Sequence, residues 1–185
     1  MSFARIAALP LLLALTATPA LAADWVQSAR SGLAFAGKYQ GSLFVGTFPG
    51  FNTRLSFDPD NLAATRLDVT IPMATATTGN AEYDPEMRGS GFFNAGAFPQ
   101  ARYQGSGARK LADGRYAIDG TLTLRGIRKP VTLTFEWRPG AAPVLTGRAS
   151  VRRLDFEVGG GQWSDTRMIP DAIAIATRVE FKPAR

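Results

Sequence analysis

Two residue types are absent from this 185-residue chain: it has no cysteine and no histidine. Without cysteine there is no thiol nucleophile, no disulfide framework and no thiolate metal site. Without histidine there is no imidazole for a Ser-His-Asp triad, a zinc-type site or haem ligation. Any catalysis would have to run on carboxylates, lysine, tyrosine or serine. Long apolar runs are scarce as well. Beyond the N-terminal stretch, no segment approaches the roughly 20 apolar residues that a spanning helix needs. What is present reads as a folded protein: 45% hydrophobic and 19% charged residues, with 19 Gly, 12 Pro, 12 Phe, 3 Trp and 4 Tyr. Many large apolar side chains among many turn formers favour β structure.

The N-terminal stretch has the three-part pattern of a secretory signal peptide. Arg5 is the only charge before Asp24, Ile6 to Leu15 is apolar apart from Pro10, and Ala20-Leu21-Ala22 is a small-x-small cleavage site. Cleavage after Ala22 is expected to leave residues 23–185 as one exported domain, held by its core without disulfides. No Cys follows the apolar run, so a lipoprotein anchor is excluded.

Beyond residue 30 the dominant period is two. Phe51, Thr53, Leu55 and Phe57 alternate with polar neighbours, as do Leu67, Val69 and Ile71. The same holds for Tyr116 to Leu124, Val131 to Trp137 and Leu145 to Val151, while Ile173, Ile175, Val179 and Phe181 share a face. One apolar face per strand predicts antiparallel strands that are wet on the other side. Leu33 to Tyr39, Ser42 to Phe48 and Ala101 to Gly105 read as weaker, Gly-enriched strands. Turn signals at Gln40-Gly41, Pro49-Gly50, Asp113-Gly114, Arg125-Gly126 and Pro139-Gly140 separate them. Seven to nine strands with short connections predict a barrel or a β-sandwich, between which pattern alone does not decide. Gly120, inside a strand, reads as a bend or bulge that helps the sheet close.

The stretch from Thr75 to Gln100 breaks the alternation. Asp84 is expected to be the N-cap of a short helix, with Pro85 at its first position and Glu86 in its first turn. Phe92, Phe93 and Phe98 then fall in a Gly/Asn/Pro-rich loop. At roughly 2 kcal/mol per buried side chain, three Phe are too costly to leave in water. A helix and loop capping one end of a barrel is the simplest picture.

Other chemistry finds little support. The 21 Lys and Arg exceed the 15 acids, but they are scattered, and the aromatics alternate inward, unlike a nucleic-acid face. A mild attraction to anionic headgroups fits the charge better. Asp84 and Glu86 are two apart and share no helix face. Ser90, between two glycines, has no histidine partner. Gly159-Gly160-Gly161 is followed by no Lys-Ser/Thr and so is no phosphate loop.

The residues do carry a resemblance. Thr78-Gly79-Asn80, Asp84, Met87-Arg88, Phe92-Phe93 and Phe98-Pro99 form one block. Asp113 to Tyr116, Gly120 to Gly126 and Lys129-Pro130-Val131 form a second, and Arg153 to Phe156 with Ile169-Pro170-Asp171 a third. Together, from about Ser31 to Phe181, the chain resembles the YceI-like family of periplasmic, lipocalin-like polyisoprenoid-binding proteins. The resemblance implies an eight-stranded antiparallel lipocalin-like barrel with a short capping helix and loop. It implies a non-catalytic periplasmic protein that holds a polyprenyl or quinone-like lipid and needs no cofactor or metal. A hydrophobic ligand is the expected partner, with transient membrane-surface contact. The alternative is an adaptor working through its outer surface beside a membrane electron-transport partner. Candidate ligand contacts are the inward-reading Phe35, Val45, Phe57, Val69, Leu122, Phe135 and Ile175. To these are added Met87, Phe92 and Phe93 from the cap, and Trp163 beside the triple glycine. Plain core packing is the competing role for each inward residue, and loop pinning for Trp163. Relatives often carry His where this chain has Tyr39 and Glu86, so any imidazole contact to a headgroup is unavailable here.

Overall fold

The computed structural model describes residues 23–184, so the signal-peptide reading lies outside the described residues. Ten strands follow in chain order: β1 (Ala23–Gln27), β2 (Gly32–Tyr39), β3 (Ser42–Thr47), β4 (Asn52–Phe57), β5 (Arg66–Pro72), β6 (Gln100–Lys110), β7 (Tyr116–Leu124), β8 (Ile127–Arg138), β9 (Val144–Arg152) and β10 (Ala172–Pro183). One helix, α1 (Tyr83–Arg88), sits between β5 and β6. Every pairing is antiparallel. The order β1-β4-β5-β6-β7-β8-β9-β10 returns to β1 through Trp25↔Pro183, Val26↔Lys182 and Gln27↔Phe181. Eight strands therefore close into a barrel, and the sandwich alternative falls.

Closure depends on the length of β10. Its C-terminal half pairs with β1 and its N-terminal half, Ala174 to Arg178, pairs with β2, which carries β3 as a hairpin. The chain turns the corner from β1 to β2 against Glu180. The Ser28 N–H donates to the Glu180 carbonyl at 2.7 Å, and the Arg30 guanidinium donates to its carboxylate at 2.8 Å. Sequence reading missed β1, a five-residue strand with too little length to show a period.

The interior is filled unevenly. At one end the rings of Phe57, Tyr116, Phe135 and Trp137 pack together, with Phe57 centred 5.1 Å from Tyr116, 5.5 Å from Phe135 and 5.1 Å from Trp137. Trp137 extends the cluster to Phe181 and Trp25. This aromatic plug closes that end. Toward the other end the inward positions are aliphatic: Val69, Ile71, Leu122, Val131, Ala149 and Ile175.

Tyr103 separates the two halves. Its hydroxyl donates within reach of the Ile118 and Val131 carbonyls, at 3.0 and 3.1 Å. Its ring lies across two glycines that face each other in register, Gly105 and Gly120. A Cβ on Gly120 would fall 2.5 Å from the Tyr103 ring and 2.7 Å from the Gln104 carbonyl oxygen. The irregularity is on the partner strand, where the register shifts between Gly105 and Ala108. Gly120 thus makes room for a ring where a bend was expected. Gly120→Ala is expected to cost about 1–3 kcal/mol, the scale of overpacking, read as a lower urea midpoint at unchanged slope. A loss below about 0.5 kcal/mol, typical of an open surface site, would contradict the close packing.

Candidate functional site

Between Tyr103 and the cap lies a cavity of 650 Å³, within the usual range for small-molecule pockets. The β strands supply its aliphatic wall. Its roof is made of α1, the loop after it, and the segment between β9 and β10. Several backbone bonds sew this roof to the barrel rim. Thr47 and Thr77 exchange N–H···O bonds of 2.8 and 3.0 Å, and the Gly159 N–H donates to Gly91 O at 2.9 Å. The Gln40 N–H donates to Met168 O at 2.8 Å. From the β7–β8 turn, Arg125 donates to Ser90 O at 2.9 Å and to Phe92 O. The opening lies where this stitching stops, between β3 and α1. Leu43, Val45 and Tyr83 border it and are 71%, 51% and 57% exposed.

The candidate residues divide by place. Phe35, Val69, Leu122 and Ile175 line the cavity wall, and Met87, Phe92, Phe93 and Trp163 line its roof. Phe57 and Phe135 do not reach the cavity. They belong to the aromatic plug beneath Tyr103, because their strand positions lie nearer the closed end. Val45 is misjudged in direction. It pairs with Ala36, whereas inward-facing Phe35 pairs with Gly46, so Val45 has the outward parity and only borders the opening. The hairpin's Gly46 removed the bulky residue that would have marked the inward face: a Cβ there would fall 2.1 Å from the Phe35 ring.

The capping phenylalanines do different jobs. Phe93 is buried and meets Phe35 and Phe48 at 5.9 and 5.6 Å. Phe92 is half-buried against Trp163, 5.5 Å away, which in turn meets Tyr39 edge-on at 6.4 Å. Phe98 packs near Gly126 at the β7–β8 turn.

Asp84 is not the N-cap. That position is Glu82, whose side chain makes no capping bond, and Asp84 lies inside α1. Its carboxylate instead reaches back to the preceding turn. It accepts from the Thr77 hydroxyl at 2.5 Å, the Thr78 N–H at 2.7 Å and the Thr78 hydroxyl at 2.8 Å. The Thr77 hydroxyl foremost, then the Thr78 N–H, hold the carboxyl below its ordinary value of 3.8. A carboxyl whose native pKa is depressed adds stability above its unfolded pKa and loses it as pH falls through the native one. Asp84→Asn is therefore expected to unfold more readily than wild type at pH 7. The difference should shrink once pH drops below about 3.8. A difference independent of pH would contradict the role of the charge.

Sequence reading missed the group that organises the roof. Arg153 is buried, and its guanidinium donates only to backbone carbonyls. Nε serves Ile169 O and Pro170 O at 3.2 and 3.3 Å, and Nη1 serves Val158 O and Gly159 O at 3.0 and 2.5 Å. Nη2 serves Trp163 O and Ile169 O at 2.8 and 2.7 Å. Burial pulls its pKa below the ordinary value, with Asp171 acting in the opposite direction. The Arg153 and Ile169-Pro170-Asp171 blocks were visible as motifs, but no local pattern says that one clamps the other.

The cavity offers little for acid–base chemistry. Among the described residues its only charged lining groups are Glu86 and Arg153. Burial raises the Tyr103 phenol to about 12, so it stays protonated at neutral pH. No group of three or more acids is placed to hold a metal among the described residues.

Residues 25–181 match the family model described as YceI-like domain. A UPF0312 protein of Yersinia pestis is 38% identical over 122 residues, covering 64% of this chain and 63% of the relative. A UPF0312 protein of Photorhabdus laumondii is 35% identical over 128 residues, covering 67% of this chain and 66% of that protein. The chain thus spans less than two thirds of the length of these curated relatives. Among solved structures, Burkholderia cenocepacia BcnA superposes with a TM-score of 0.80 at 28% identity, covering 84% of this chain and 98% of its own. A polyisoprenoid binding domain from Saccharophagus degradans shares the fold at TM-score 0.66 and 14% identity, covering 89% of this chain and 99% of its own.

Proposed function

Since the chain belongs to the YceI-like domain family, we propose that it is a periplasmic carrier that holds one isoprenoid-type lipid, polyprenyl or quinone-like, in its barrel without transforming it. The cavity carries this reading: 650 Å³ of space walled by aliphatic and aromatic side chains, where an ordinary barrel core would be filled. At about 30 Å³ per non-hydrogen atom, taking water's share of liquid volume as the guide, it has room for roughly 20 carbons. Each buried CH₂ contributes on the order of 0.8 kcal/mol. A branched, flexible apolar tail suits such a space, and the fold shared with a polyisoprenoid binding domain agrees with it.

The opening supports brief membrane contact during loading. Leu43, Val45 and Tyr83 are the only large hydrophobics that stand exposed among the described residues, and all three surround the mouth. An adaptor would need an apolar patch elsewhere on the outer wall. The proposed function is tested by vesicle extraction. Protein freed of lipid by solvent is mixed with vesicles carrying geranylgeraniol, and the two are separated by flotation. The carrier is expected to leave with the isoprenoid at close to one per barrel. Retention of all isoprenoid by the vesicles would overturn the reading.

A further inference from the structure

The charged groups lining the cavity are few, and their arrangement bears on the headgroup. Arg153, the one cation in the lining, has all five N–H donors committed to backbone carbonyls. Two neighbouring cations are also engaged in part by backbone carbonyls. Arg88 donates to Asp84 O and Ala74 O, and Arg125 donates to Ser90 O and Phe92 O. Lys38, across from Leu43, has the outward parity of β2, opposite to Phe35 and Tyr39. Against this, Glu86 is exposed at the mouth with no ion-pair or hydrogen-bond partner among the described residues.

Glu86 has a complementary neighbour. The Trp163 indole Nε1 is buried without a hydrogen-bond partner. Both groups converge over Gly91: a Cβ there would fall 3.4 Å from Glu86 Oε1 and 3.9 Å from Trp163 Nε1. A free acceptor and an orphaned donor thus approach the same point over Gly91, and both residues line the cavity. A hydroxyl answers both, since it accepts from the indole N–H and donates to the carboxylate. A diphosphate could accept from the indole but does not answer Glu86. It has no donor for Glu86, it brings like charge against that carboxylate, and Arg153, the one cation in the lining, is already committed.

We propose that Glu86 at the mouth, with Trp163 in the adjoining roof, selects a neutral, hydroxyl-bearing headgroup, an isoprenoid alcohol or phenol, over a phosphorylated one. This rests on the cavity being the isoprenoid-tail site. The test compares geranylgeraniol with geranylgeranyl diphosphate, which share one tail, by calorimetric titration of the purified protein at low ionic strength. Wild type is expected to bind the alcohol at least about tenfold more tightly, because the diphosphate brings like charge against Glu86 at low ionic strength. Glu86→Gln should narrow the ratio and Glu86→Lys should invert it, and because residue 86 is exposed both variants should fold. A wild type that binds the diphosphate as tightly as the alcohol, or a ratio unmoved by both variants, would overturn the headgroup assignment alone. Binding of neither probe would overturn the tail site along with it.

Discussion

Ala149→Trp is expected to abolish binding of an isoprenoid tail while leaving the barrel folded with a stability change within about 1 kcal/mol. Ala149 lies on β9, pairs with Ile175 on β10, and faces the cavity with only a methyl group. In a packed core, extra atoms force neighbours off their rotamers at a cost of about 1–3 kcal/mol. Here the indole would enter space that is already empty. Its buried apolar area, at about 25 cal/mol per Å², offsets the entropy of fixing it. The contrast is Ile118→Trp. Ile118 is fully buried and does not line the cavity, so the same ring has no void to enter there. That variant should lose at least about 1–3 kcal/mol. Urea unfolding of the two proteins, with tail binding measured alongside, checks both halves. Undiminished binding in Ala149→Trp would mean that the tail sits elsewhere.

Arg153→Met is expected to be the most destabilising single change in the roof, at about 3 kcal/mol or more, the scale for breaking a buried charged network. Removing the guanidinium leaves the carbonyls of Val158, Gly159, Trp163, Ile169 and Pro170 without their donor. A buried polar group left unsatisfied costs about 1–3 kcal/mol, and the segment will open to water before bearing that several times over. The loss should therefore show first as faster hydrogen exchange at the amides of Val158 to Ser164, ahead of the β strands. Arg153→Lys should recover only part of the stability, because an ammonium is a point charge and cannot serve a planar ring of acceptors. Exchange rates unchanged in Arg153→Met would contradict the clamp.

The strands were legible because each carries its own evidence. Phe51 to Phe57 or Val131 to Trp137 shows the period of two within a single element, and Asp113-Gly114 or Arg125-Gly126 marks its end. The capping helix was legible from Pro85 and the glycines after Arg88, although its acid was given the wrong task. Asp84 bonds backward to Thr77 and Thr78, a choice made by the fold of the preceding turn and not by the helix. The cavity itself was hidden for a different reason. Phe57, Val69, Leu122 and Phe135 all read as inward, but whether an inward residue meets a neighbour or a void depends on its height in the barrel. That height is set by strand register, as in Gly105 opposite Gly120 beneath the Tyr103 ring. The clamp by Arg153 spans a loop of its own chain, and its acceptors are backbone atoms that carry no sequence signature.

The space between Tyr103 and the cap is the proposed seat of the lipid tail. Native mass spectrometry of wild type and Ala149→Trp, purified in parallel from the same membrane-containing host, tests it most directly. Wild type should carry a bound mass that solvent extraction identifies as an isoprenoid-type lipid, and Ala149→Trp should fly at the mass of the bare chain. A lipid-free wild type in repeated preparations, or the same adduct on both proteins, would contradict it.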